Sequence, residues 1–208
     1  MNIPPIALFL MLLPIAGQIY VSYGVWQILP YILWLRIVTV SLMALAFLSF
    51  FVAMSGGLDK LPLEIATIGY NVGTSWIIVL LYMSILFAIV HIFSLLSWIP
   101  NQYLHQSNLG TTILCGLLLV LFSYARYHYE YKKRVELVLN GKGKIKEPKK
   151  LVLVSDLHLG YHNRRQDLHR WLEQIKAEEP DALLIAGDLI DRTIKPVKEE
   201  RAEEEFKE

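Results

Sequence analysis

Between Met1 and Ala125 the chain carries four charged side chains: Arg36, Asp59, Lys60 and Glu64. A water-soluble domain of that length needs a polar surface, and this stretch supplies none. It holds four apolar runs instead: Ile6 to about Tyr23, Ile37–Met54, Trp76–Trp98 and Thr111–Tyr124, the last extended backward by Asn108-Leu109-Gly110. A bilayer core of about 30 Å takes roughly 20 apolar residues as helix. The second and third runs meet that length. Pro14 and Gln18 in the first run, and the shortness of the fourth, are compatible with membrane helices, which tolerate such interruptions. The alternative, buried helices of a soluble α protein, requires a polar stripe that none of the four shows.

The first run has no Lys or Arg ahead of it and no clear cleavage site, so it reads as a span and not a signal peptide. Tyr20, Tyr23, Trp26, Tyr31, Trp34, Trp98, Tyr103 and Tyr124 gather near the ends of the runs, as aromatic belts do at a lipid–water interface. Residues 126–150 hold nine Lys and Arg, whereas 99–110 hold none. The positive excess is expected in the cytoplasm. Four spans then leave both termini inside a cytoplasmic (inner) membrane, with Lys60 inside and Arg36 outside, snorkelling to its interface. His91, inside the third run, is either part of a proton or ligand path or a neutral histidine bonded to a neighbouring helix. The second reading is favoured, because no charged residue accompanies it at membrane depth. The spans look like an anchor.

All but two of the 20 Lys+Arg and all but two of the 19 Asp+Glu lie in residues 126–208. The net charge of +1 averages two unlike halves and identifies no partner; no nucleic acid is expected. Cys115 is the single cysteine, which excludes an intramolecular disulfide. The chain divides into a transmembrane region, 1–125, a basic link, 126–150, and a soluble segment, 151–208. In the link, Tyr127, Tyr129 and Tyr131 precede Lys132-Lys133-Arg134. They either contact lipid headgroups or begin a strand that continues as Val135–Leu139, followed by an Asn140-Gly141 turn.

In the soluble segment Leu151–Val154 is a strand. Leu168, Trp171, Leu172 and Ile175 share one helical face, Pro180 ends that helix, and Ala182–Ala186 is a fully buried strand. Strand–helix–strand implies a parallel pair. The tail from Pro196 to Glu208 is helical in composition. Each strand closes on an acidic motif: Ser155-Asp156-Leu157-His158-Leu159-Gly160 and Gly187-Asp188-Leu189-Ile190-Asp191. Ligands of open α/β sheets bind beyond the carboxyl ends of the strands. Adjacent strands lie about 4.8 Å apart, so Asp156, His158 and Asp188 can converge on one point. A carboxylate and an imidazole two residues apart face the same way from extended backbone. The alternative is that Asp156 and Asp188 cap helix starts and His158 is a loop residue. After the first motif, Asn163 and Arg164, with His162 and Arg165 beside them, are candidates to hold a substrate phosphate. Otherwise they are a solvated loop with Asn163 as N-cap.

The two motifs resemble the first two motifs of the calcineurin-like metallophosphoesterases, most closely the membrane-anchored bacterial members. The resemblance covers about 151–191, extending over 132–208. It implies a four-layer α/β/β/α sandwich, incomplete here, and two divalent metal ions, often Mn, Fe or Zn. It implies further that Asp156 and His158 ligate the first metal and Asp188 bridges both, while Asp191 supports the loop from behind. The implied reaction is hydrolysis of a phosphate ester or pyrophosphate, and relatives in lipid A synthesis suggest a lipid-linked substrate. The family's Gly-Asn-His-Asp/Glu and Gly-His-x-His motifs are absent, and no histidine follows His169. Without them the chain is expected to be inactive by itself: a truncated gene, half of a split enzyme with a complementing C-terminal half, or a non-catalytic membrane scaffold.

Overall fold

The computed structural model describes residues 5–140, 143 and 147–207. They fall into two compact units, Met1–Phe51 with Gly73–Val135, and Val52–Val72 with Glu136–Glu208.

The first unit is helical. Helix α1 spans Pro5–Ile28, α2 Leu33–Met54, α3 Leu63–Leu95 and α4 Asn108–Glu130, with the end of α2 and the start of α3 belonging to the second unit. Among the described residues α2, α3 and α4 have the length and apolarity of a membrane crossing. The α1 helix covers the first apolar run and keeps Pro14 inside it. Helix α3 starts at Leu63, well before the expected Trp76. Glu64, Gly69, Asn71, Gly73 and Thr74 break the apolar run there without breaking the helix. The core is made by Val21 and Val25 of α1, Met43 and Phe47 of α2, and Leu80, Met83 and Phe87 of α3.

Gln18, His91 and Arg36 within this unit are paired, as burial requires. Gln18 accepts from Trp76 Nε1 at 2.8 Å. His91 Nδ1 and the Tyr20 hydroxyl are 2.7 Å apart, which gives the histidine the neighbouring-helix partner of the favoured reading. Arg36 does not snorkel; it is buried. Its guanidinium donates to Pro30 O at 3.0 Å and Leu29 O at 2.6 Å, carbonyls just past the end of α1. Helix ends leave such carbonyls unsatisfied, and the arginine fills that need.

Ser107 caps α4, its Oγ accepting from Gly110 N at 3.0 Å. Because α4 runs to Glu130, Tyr127 and Tyr129 are helical, and the strand alternative for this stretch is not realised. Val135, Leu137, Val138 and Leu139 form no strand and are exposed, since no described strand lies beside them to pair with. Gly141 of the expected turn lies outside the described residues.

In the second unit β1, Leu151–Ser155, and β2, Ala182–Ala186, pair in parallel from Leu151 opposite Ala182 to Ser155 opposite Ala186. At their N-terminal ends Asp181 accepts from Lys150 N at 2.8 Å and Lys149 Nζ at 3.0 Å. The Lys150 amide, then Lys149, hold its carboxyl below the usual range. Between the strands runs α5, Arg165–Lys176, whose Leu168 and Leu172 pack with Leu159, Val197 and Ala202. Its N-cap is Arg164, not Asn163. Asp167 accepts from Arg164 N at 3.0 Å, while Asn163 Nδ2 donates to Leu157 O at 2.9 Å.

Strand β2 is not the fully buried strand expected. Leu183 alone is half-buried and its other residues are exposed, because the described sheet has two strands and α5 with the tail covers one face. A four-layer sandwich is not formed by these residues. The tail folds as α6, Lys195–Glu199, and a 3-10 turn, Ala202–Lys207, split where Arg201 takes a left-handed φ of 54°.

The tail is tied to α5 by Glu205, which accepts from Arg165 Nε at 2.5 Å and pairs with His169 Nδ1 at 2.8 Å. Arg165 first, then His169, depress the Glu205 carboxyl below its ordinary value. A depressed carboxylate contributes stability that is full above the unfolded value, about 4.3. That stability is lost as pH falls through the folded value. Acidification through that window is expected to lower the protection factors of the 202–207 amides, each corrected for its intrinsic exchange rate at that pH, and Glu205→Gln should remove this loss.

Candidate active site

Beyond the ends of β1 and β2 the two motif loops continue side by side. Asp156 N donates to Ala186 O at 3.0 Å, His158 N to Asp188 O at 3.0 Å, and Leu159 N to Leu189 O at 2.9 Å. Asp191 N closes the pair by donating to Leu159 O at 2.9 Å. This ladder is what brings Asp156, His158, Asp188 and Asp191 into one neighbourhood, although Asp156 and His158 do not sit on the extended backbone expected of them.

The backbone there is strained. Asp156 and His158 hold φ of 53° and 44°, and Gly187 holds 72°. Left-handed backbone at a non-glycine residue costs on the order of 1–3 kcal/mol and concentrates at functional sites. The turn aims the Asp156 carboxylate at the facing loop, where Oδ1 accepts from Asp188 N at 3.3 Å. Asp188 is exposed and His158 partly so. The His158 Nδ1 atom lies 3.9 Å from Asp191 Oδ1, and the other oxygen of Asp191 accepts from the Tyr70 hydroxyl at 2.7 Å.

Two carboxylates and an imidazole are suitable donors for a transition-metal ion. Among the described residues, however, no group of three or more His, Cys, Asp or Glu is gathered as a metal site requires. Asp156 is turned toward the Gly187–Asp188 backbone and His158 toward Asp191. The residues present therefore do not make a complete metal site.

The two candidates for substrate phosphate are engaged within the protein. Asn163 holds Leu157 O. Arg164 Nε donates to Glu200 at 2.7 Å, and its Nη2 pairs with Glu64 at 3.1 Å.

Several residues around the motifs were not legible as site neighbours. Tyr70, Asp59 and Glu64 come from the segment that joins α2 to α3. Tyr161 donates to Asp59 Oδ1 at 2.8 Å, and burial, with that bond second, pushes its hydroxyl up. Lys195 Nζ donates to the carbonyls of Asp59, 2.9 Å, and Leu61, 2.5 Å. One signal existed: three of the four charges in residues 1–125 fall between Asp59 and Glu64.

The family model for calcineurin-like phosphoesterase matches residues 149–208. This segment belongs to that family. The calcineurin-like match begins just ahead of β1 and takes in both motif loops, α5 and the tail. Calcineurin-like phosphoesterases generally work with a dimetal centre. No curated protein and no solved structure matches the chain.

Proposed function

We propose that the protein is a membrane-anchored, metal-dependent phosphoesterase acting on a phosphate ester or pyrophosphate. The observation that carries this is the pairing of the two motif loops beyond parallel strand ends, inside the segment that matches the family. Asp156, His158 and Asp188 are its proposed metal ligands, with Asp191 as the support beside His158. Two divalent ions of the Mn, Fe or Zn kind are the proposed cofactors, and these residues contribute the first part of their binding set. The anchor is supported by three helices of membrane-crossing length. The basic link supports a cytoplasmic position for the phosphoesterase segment at the inner membrane, where a lipid-linked phosphate is the natural substrate class.

A complementing polypeptide that brings the remaining ligands is the proposed partner. Leu151, Leu153, Leu184 and Ile185 support it, since they leave apolar strand surface exposed, and native sheets normally cover or pair such surface. The second reading, a non-catalytic scaffold, is favoured by one observation: the described residues hold no three-ligand group.

One experiment separates them. The purified 208-residue protein with Mn²⁺ and an aryl phosphate is expected to release no significant phosphate. Fusion to a family segment carrying Gly-Asn-His and Gly-His-x-His is expected to confer turnover that Asp188→Ala abolishes. A fusion that folds and stays inactive selects the scaffold. Turnover by the 208 residues alone that survives Asp188→Ala overturns the site assignment.

A further inference from the structure

The segment Val52–Val72 packs within the same compact unit as the phosphoesterase sequence. Its apolar contribution is Ala53, Leu58, Ala66 and Tyr70, clustered with Tyr161 of the first motif loop. Its polar contribution is the set of bonds from Asp59, Leu61 and Glu64 already described. Tyr70, in the first third of α3, differs from the others in reaching Asp191.

Tyr70 is buried, 8% exposed, and its ring lies 5.2 Å from that of Tyr161. A buried phenol hydroxyl needs a partner, and it takes Asp191 Oδ2 at 2.7 Å. Asp191 is confined on its other sides. Its amide holds Leu159 O, and its Cβ lies where a side chain on Gly160 would sit, 3.0 Å away. With one carboxylate oxygen fixed by Tyr70, the other is left facing the His158 ring at 3.9 Å. At that distance there is no hydrogen bond, and the carboxylate acts on the ring through its charge, favouring the orientation that turns Nδ1 toward it.

We propose that Tyr70 is a positioning residue, which acts through Asp191 to set the orientation of His158 and so makes helix α3 part of the phosphoesterase site. The proposal rests on the reading of His158 as a site residue. Phenylalanine at position 70 keeps the packing against Leu58, Ala66 and Tyr161 and removes the hydroxyl, so the hydroxyl can be tested apart from the ring.

The test uses the full chain in detergent micelles, labelled with ¹⁵N-histidine and with ¹³Cζ-tyrosine, at one fixed pH and without metal or substrate. His158 is assigned by its loss in His158→Gln. Tyr70→Phe is expected to displace the His158 ring signals while those of His169 and His91 stay in place, a pattern that general loosening would not give. Asp191→Ala is expected to displace them too, and adding Tyr70→Phe to Asp191→Ala should change nothing more at His158. In the reciprocal arm, Asp191→Ala leaves Tyr70 intact and is expected to move the Tyr70 ¹³Cζ signal together with His158. An unmoved His158 in folded Tyr70→Phe overturns the proposal, as does an unmoved Tyr70 in Asp191→Ala. The second arm decides the matter if Tyr70→Phe does not fold. Neither readout involves phosphate release, so failure of the phosphoesterase reading and failure of this one are separately visible.

Discussion

Gly187→Ala is expected to be among the most damaging single substitutions in the phosphoesterase segment. Two costs add. Gly187 holds φ +72°, a left-handed conformation that costs an L-residue about 1–2 kcal/mol. An alanine Cβ would also stand 2.2 Å from Asp156 Oδ1 and 2.9 Å from its Cγ. No bond permits that approach, so the carboxylate must swing away and abandon the Asp188 amide. Asp156 is exposed and its carboxylate is the end of a flexible side chain, so the displacement costs little beyond the lost hydrogen bond, about 0.5–1.5 kcal/mol. The sum, about 1.5–3.5 kcal/mol, is a large share of what holds a small segment together. Hydrogen exchange at the Asp156, His158 and Asp188 amides measures it directly. The double variant Asp156→Ala/Gly187→Ala removes the clash and keeps the backbone cost, so it should recover part of the loss. Wild-type protection in Gly187→Ala would show that the turn relaxes without cost.

The second large effect is expected at Gly73. A Cβ at this position in α3 would lie 2.5 Å from Phe50 N, 2.7 Å from Phe50 Cα and 2.8 Å from Ser49 C, all backbone of α2. Flexible side chains can give way at such distances, but helix backbone cannot. Close approach through small residues is how apolar helices associate when lipid tails are as oily as their side chains. Gly73→Ala is expected to force α2 and α3 apart and lower stability by about 1–3 kcal/mol. Gly73→Leu should prevent the pairing and shift thermal unfolding in detergent well below that of Gly73→Ala. Gly116, with nothing within 4 Å of an added Cβ, is the matched control. Gly116→Ala should be neutral or slightly stabilising, because alanine favours helix by about 1 kcal/mol over glycine.

Much of the architecture was legible in the sequence because it rests on local pattern. Unbroken apolar runs gave the long helices, and a single apolar face from Leu168 to Ile175 gave α5. The strand ends with their acidic motifs were visible for the same reason. The failures share a different cause. The beginning of α3 was hidden because Glu64, Asn71 and the two glycines interrupt apolarity, which marks spans, without interrupting helix. The alternation of Tyr127, Tyr129 and Tyr131 suggested a strand, but α4 simply continues through the first two. Burial of β2 depended on partner strands, which no local pattern reports. Tyr70, Asp59 and Glu64 stand about a hundred residues from Tyr161, Arg164 and Asp191, and a contact at that separation leaves no periodic trace. Charge placement was the one clue, since carboxylates between apolar helices need a reason to be there.

The packing of Val52–Val72 with Glu136–Glu208 also imposes a parity rule on the chain. Between those stretches the polypeptide runs out along α3 and back along α4. Two crossings return a chain to the leaflet it left, and an odd number would put Tyr70 and Asp191 on opposite faces of a bilayer. Whatever α1 does, α3 and α4 must therefore share one fate: both cross, or neither does.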